Sequence, residues 1–178
     1  CHLAGNLDAT IATLEPLPVD LQPAGDWVDV QVGSVPNYWD AYDDFDVLVL
    51  PRRYGGLSLP TIEAMAAGLA VVMPATSPNL DWPILPVSAI RGGRVPLPAG
   101  WMPLVDVDPA GLANEMIRLR DDPQRLAEAR ERSLEWAEAN SWERLLPLYW
   151  DELARVVGHP LPAPTVDERQ HNPFAAKP

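Results

Sequence analysis

The feature that most limits how this chain can fold is a pair of uninterrupted apolar runs, Val47-Leu48-Val49-Leu50 and Ala70-Val71-Val72-Met73. Runs rich in β-branched residues, with no polar alternation, suit strands buried on both faces of a parallel sheet. Parallel neighbours cannot be joined by a tight turn and need a crossover, usually a helix. The connecting segment supplies one: Pro60 to Ala67 has helix composition, with proline in the first turn and Gly68 as the stop. A third strand is expected upstream at Val28-Asp29-Val30-Gln31-Val32, which alternates apolar and polar residues like a half-buried or edge strand. Between it and Val47, Asn37 to Asp44 reads as a short helix carrying Tyr38, Trp39 and Tyr42 as an apolar stripe. Strand, helix, strand, helix, strand makes two βαβ units. The expected class is therefore α/β, with one parallel sheet containing Val28–Val32, Val47–Leu50 and Ala70–Met73.

Downstream the pattern changes. Residues 74–109 carry eight prolines, so a mostly irregular stretch is expected, with short extended pieces at Ile84–Val87 and Leu104–Val107. Three helices should follow. Asp108-Pro109 starts one to about Arg120, Asp122-Pro123 a second to about Ala139, and Ser141 caps a third to about Val157. In the third, Trp142, Leu145, Leu146, Tyr149, Trp150, Leu153, Val156 and Val157 share one face, which reads as core. Pro147 should kink it. From Gly158 onward five prolines fall in 21 residues, so residues 158–178 are expected to be a disordered tail following a domain at 1–157.

Composition excludes several classes. At 178 residues, a chain can bury a full core, hiding roughly 70% of its unfolded surface. No apolar run approaches the roughly 20 residues of a membrane-spanning helix. No secretory leader is visible, which in a chain opening on Cys1 says little of the intact protein; the expected location is cytoplasmic. The first residue is Cys1 rather than Met, which suggests a fragment or a processed product. That one cysteine cannot build a disulfide framework or a thiolate zinc site. The three histidines, at 2, 159 and 171, cannot form a helical ligand pair. Net charge is −12, opposite in sign to most proteins that bind nucleic acid or anionic membranes. Residues 1–51 hold nine acids and no Lys or Arg; the first bases are Arg52 and Arg53.

Those bases open the segment where chemistry is expected. In an open parallel sheet, ligands bind beyond the carboxyl ends of strands, where loops meet helix N-termini. Pro51-Arg52-Arg53-Tyr54-Gly55-Gly56-Leu57-Ser58-Leu59-Pro60 lies there. Gly55 and Gly56 allow close backbone approach, the helix start favours negative charge, and the two arginines supply cations. Glu63, one turn into the helix, offers a carboxylate to a sugar diol. Composition alone favours a plainer account: a shaped turn, solvated arginines, and an acid compensating a helix dipole. Asp43, Asp44 and Asp46 read as solvated acids rather than a metal site. Arg91-Gly92-Gly93-Arg94 reads as a solvated turn rather than a phosphate contact.

Val47 to Met73, VLVLPRRYGGLSLPTIEAMAAGLAVVM, nevertheless resembles the central donor-site motif of the GT-B glycosyltransferases, in their large retaining group 1 family. That motif has an apolar strand, then E-G-F-G-L-P-x-x-E-A-M-A-x-G-x-P-V-V. Gly56, Leu57, Leu59, Pro60, Glu63, Ala64, Met65, Ala66, Gly68, Val71 and Val72 match it. Val28 to Leu50 resembles the strand, helix and strand before the motif, and Gly100 to Val157 resembles the part that closes the domain. In that family the terminal helix crosses back to the N-terminal domain, which implies that part of the last helix's apolar stripe is exposed in this chain. About 130 residues are covered in order. The Arg52-Arg53-Tyr54-Gly55-Gly56 variant is similar to members in bacteriophages and actinobacteria.

The resemblance implies a Rossmann-like sheet with helices on both faces, the C-terminal, donor-binding half of a GT-B enzyme. It implies transfer of a sugar from a nucleotide-sugar donor, without a metal or other cofactor. It places Glu63 on the ribose and the amides of Gly56, Leu57, Ser58 and Leu59 on the distal phosphate and sugar, with Arg52 and Arg53 adjacent. The first glutamate of the family's pair, which touches the donor sugar, falls at Gly55 and is absent. The family's glycine-rich turn after the next strand falls at Thr76-Ser77-Pro78-Asn79, without its glycines. The family's diphosphate-binding arginine and lysine, and its N-terminal acceptor domain, would have to lie upstream of Cys1, so the chain alone is expected to be inactive. No catalytic residue is assigned. The alternative is a non-catalytic relative, a GT-B-like sugar-nucleotide-binding or interaction module, which Gly55 favours; the acid and histidine residues of a GT-B epimerase are not visible.

Overall fold

The computed structural model describes residues 9–13, 28–32, 38–98 and 100–162. Its centre is a parallel three-stranded sheet of β3 (Val47–Val49), β4 (Ala70–Pro74) and β5 (Leu85–Val87), with β4 in the middle. Val47 pairs with Ala70, and Val72 with Leu85. Every residue of β4 is buried, as its unbroken apolar run requires. Its alternate side chains face opposite ways and build two cores. On one face Ala70 and Val72 join Val47, Leu85 and Val87 against Leu119 and Ala129. On the other, Val71 and Met73 pack with Tyr42, Ala64, Met65 and Leu69. The α/β reading with helices on both faces holds.

Helix α1 (Leu59–Ala66) lies on the second face and carries Pro60 in its first turn. It ends as the sequence predicts. Gly68 takes φ +78°, its amide reaches the Met65 carbonyl at 3.0 Å, and that of Leu69 reaches Ala64 at 2.9 Å. Those two bonds are the pair a left-handed glycine makes possible at a helix end. On the first face lie α2 (Pro109–Asp121) and α3 (Pro123–Ala139). Asp108 caps α2 by accepting from the amides of Ala110 and Gly111, and Asp122 caps α3 by accepting from Arg125. Arg130 of α3 donates to the Gly68 carbonyl at 2.8 Å and to Asp46 at 2.7 Å, tying this helix to the residues that lead into β4 and β3.

Several expectations need correction. Val28–Val32 (β2) pairs in parallel not with β3 but with β1 (Ala9–Thr13), in a separate two-stranded sheet. The stretch expected as a helix from Asn37 to Asp44 is a 3₁₀ turn over Tyr38–Ala41 followed by turns, Asn37 lying outside the described residues. Three aspartates within its last five residues oppose the dipole that a longer helix would develop there. The irregular stretch expected over 74–109 contains an antiparallel hairpin, β6 (Ala89–Leu97) and β7 (Gly100–Val107), with an irregular register between Arg91 and Arg94. Arg91-Gly92-Gly93-Arg94 is therefore a strand irregularity and not a turn. A two-stranded ribbon has free edges, where a proline without an N–H costs little.

Helix α4 (Trp142–Val157) continues through Pro147 and ends at Gly158, φ +80°. Ser141 stands at its N-cap, but its side chain makes no capping bond. Most of the apolar stripe read as core is exposed: no residue of α4 is buried, Trp142, Tyr149, Leu153, Val156 and Val157 face solvent, and Leu145, Leu146 and Trp150 are half-buried. Residues up to 162 run back along the helix, where the Trp150 indole N–H donates to the Pro162 carbonyl at 2.6 Å. The rest of the expected tail, 163–178, lies outside the described residues.

Candidate functional site

Parallel pairing puts the carboxyl ends of β3 and β4 on one edge, and the Leu50 amide extends the ladder to the Val72 carbonyl at 2.9 Å. Two connections leave that edge. Residues 51–58 cross to α1, and residues 75–78 turn into a short 3₁₀ segment, Asn79–Asp81.

The two connections touch at Gly55. A Cβ built there would stand 1.6 Å from the Ser77 carbonyl oxygen. Glycine is required at 55 by this approach and not by its φ, unlike Gly56, whose φ of +136° suits glycine and whose surroundings are open. The Ser77–Pro78 peptide is cis. Among the described residues, Thr76 Oγ1 and both polar side-chain atoms of Asn79 are buried with no hydrogen-bond partner.

The arginines behave differently from each other. Arg52 folds back over its own loop and donates through a terminal nitrogen to the Gly56 carbonyl at 3.1 Å. Arg53 points to the hairpin, where it pairs with Asp106 at 2.8 Å while its carbonyl accepts from the Val105 amide at 2.7 Å. The β6–β7 hairpin is thereby fastened to the loop through β7.

At the helix start, Ser58 is buried, and its hydroxyl accepts from the Thr61 hydroxyl at 2.8 Å. The amides of Thr61 and Ile62 both go to the Ser58 carbonyl, and Pro60 has none to give. Leu57 and Leu59 flank Ser58 with exposed side chains. One turn further, Glu63 is partly buried, and its Oε2 accepts from the Tyr42 hydroxyl at 2.8 Å.

Of the residues singled out from the sequence, Arg52, Gly55, Gly56, Leu57 and Ser58 thus lie on one loop at the sheet edge, and Leu59 opens the helix that follows. Glu63 stands on the helix the loop leads into, and Arg53 stands between loop and hairpin. Tyr42 was missed as a polar residue because its spacing with Tyr38 and Trp39 marks it only as apolar. Nothing local links positions 42 and 63; the link comes from two elements covering the same face of the sheet. Among the described residues, no group of three His, Cys, Asp or Glu side chains is placed to hold a metal ion; Asp46, one of the clustered aspartates, accepts from Arg130. The Asp121 carboxyl is held below its usual range by a hydrogen bond from Arg120, at the exposed end of α2.

A family model, "Glycosyl transferases group 1", matches residues 20–122, more than half of the chain. The chain belongs to this family. No curated relative matches it. The matched span runs from before β2 to the start of α3 and contains the whole loop edge, so these connections are those of a group 1 glycosyltransferase domain. Among the described residues, no helix is long and apolar enough to cross a membrane.

Proposed function

We propose that this group 1 glycosyltransferase domain binds the nucleotide-sugar donor and supplies the donor half of a retaining transferase. One observation carries the reading: the β3-to-α1 loop lies at the carboxyl edge of the parallel sheet, with Arg52 over Gly56 and Glu63 a turn into the helix. Open parallel sheets bind ligands on that edge. Amides of Gly56, Leu57, Ser58 and Leu59 meet the distal phosphate and sugar, Arg52 supplies positive charge beside them, and Glu63 accepts the two ribose hydroxyls. Thr76 and Asn79 add polar side-chain atoms that have no partner among the described residues, beside the same edge. Diphosphate charge is met by guanidinium and amides, so binding needs no divalent cation.

Calorimetric titration with UDP, GDP and ADP, with and without EDTA, tests this. At least one diphosphate should bind equally well in both conditions. Glu63→Ala should weaken it by at least roughly 10- to 100-fold, the loss of even one charge-assisted hydrogen bond being worth about 1.5–3 kcal/mol. Loss of binding in EDTA, or unchanged binding by Glu63→Ala, would overturn the assignment.

The contact at Gly55 favours a second reading, a sugar-nucleotide-binding module without turnover. No side chain fits where the family carries its sugar-binding glutamate. The two readings separate on the sugar: a transferase domain binds a nucleotide sugar better than the bare diphosphate, and a nucleotide-only module does not.

A further inference from the structure

We infer that Tyr42 is a positioning residue for the nucleotide: its phenol holds the Glu63 carboxylate in the orientation that accepts the ribose diol. The inference rests on the donor-site reading of Glu63 above.

A glutamate has three side-chain torsions, and one near a helix start can sweep a wide arc. A carboxylate that is to accept two adjacent hydroxyls must instead be presented in one orientation before the ligand arrives. Tyr42 supplies that constraint. Its ring is buried in the cluster of Ala64, Met65, Leu69, Val71 and Met73, with Trp39 and Phe45 packed against it. A ring so enclosed cannot swing, which fixes its hydroxyl in space. That hydroxyl donates to Glu63 Oε2 at 2.8 Å, a well-formed O–H···O bond. The phenol engages one of the two carboxylate oxygens, Oε2.

Placement in the chain supports the same role. Tyr42 comes just before β3 and Glu63 just after the loop that leaves it, so their bond spans the crossover that carries the candidate site. A tyrosine needed only for packing would be served equally by phenylalanine. Here the hydroxyl is spent on the one carboxylate that the binding reading requires.

The experiment compares the parent chain, Tyr42→Phe, Glu63→Gln and the double variant. Each is titrated with the best-binding ribonucleoside diphosphate, its 2′-deoxy counterpart and inorganic pyrophosphate. The parent should prefer the ribonucleotide by about tenfold, one charge-assisted hydrogen bond's worth. Tyr42→Phe should cut this preference to less than threefold and leave pyrophosphate affinity unchanged. In the double variant the loss should be no greater than in Glu63→Gln alone. A preference fully kept by Tyr42→Phe, with Glu63→Gln losing it, overturns the positioning role and leaves the Glu63 reading standing. A parent with no preference, or one unaffected by Glu63→Gln, overturns both. Should Tyr42→Phe fold poorly, 3-fluorotyrosine at position 42 keeps the ring and donates more strongly. The ribose preference should then rise, and no change would count against the role.

Discussion

Gly55→Ala adds a single methyl group and should be among the most damaging small substitutions in this chain. The added Cβ would stand 1.6 Å from the Ser77 carbonyl oxygen and 2.9 Å from its carbon, where real Cβ contacts under 3.0 Å are essentially never seen. One of the two connections must retreat by well over an ångström. The obstacle is backbone rather than the end of a flexible side chain, and that backbone is continuous with the buried strand β4. Overpacking a well-filled site costs typically about 1–3 kcal/mol. With so little room to yield, the upper end applies, about 3 kcal/mol. For a chain of this size each kcal/mol moves the melting temperature by about 2–4 °C, so a fall of roughly 6–12 °C is expected.

Thermal melts followed by circular dichroism, with urea titrations beside them, measure this directly. Gly93→Ala is the internal control. Its Cβ would meet nothing within 4 Å, and its φ is not in the left-handed range, so it should melt with the parent or slightly above it. If Gly55→Ala melts within about 1 °C of Gly93→Ala, the approach of the two loops is not a feature of the folded protein. The account of why glycine stands at 55 then falls with it.

Two further outcomes are expected. Arg130→Met removes two hydrogen bonds that join α3 to Gly68 and Asp46; discounted for partial exposure, the loss should be about 2 kcal/mol in urea unfolding. Arg52→Ala should weaken diphosphate binding several-fold and Arg53→Ala less than twofold, because Arg53 is already paired with Asp106 while Arg52 lies over the loop. Calorimetry showing the opposite order would move the site toward the hairpin.

The crossover from β3 through α1 to β4 was legible because each of its parts leaves a local mark. Two unbroken apolar runs name buried strands, and Pro60 and Gly68 punctuate the helix between them. The aspartate–proline pairs at 108–109 and 122–123 mark helix starts in the same local way. The hairpin left no such mark. Its prolines at 96 and 103 speak against a strand unless the strand lies in a free-edged ribbon, and that is a property of the sheet and not of the segment. In α4 the helical spacing was right and the burial was not. Periodicity tells which residues share a face, but what covers that face depends on other elements.

The candidate site divides along the same line. Arg53, Gly55 and Glu63 are legible from an ordered motif, whereas the contacts that define them are tertiary: Asp106 on Arg53, Ser77 on Gly55, Tyr42 on Glu63. Gly55 shows what this changes. In the sequence it is a missing glutamate, a deletion from a binding motif. In the structure, the place such a side chain would occupy is filled by the Ser77 carbonyl, on a turn that also lacks the glycines the motif would put there. The two departures are a single accommodation, since a turn drawn in over the loop leaves no room for a side chain beneath it. Putting glutamate back at 55 alone should therefore cost stability and gain no sugar contact. Only a change that also withdraws the Ser77–Pro78 turn makes room for the carboxylate.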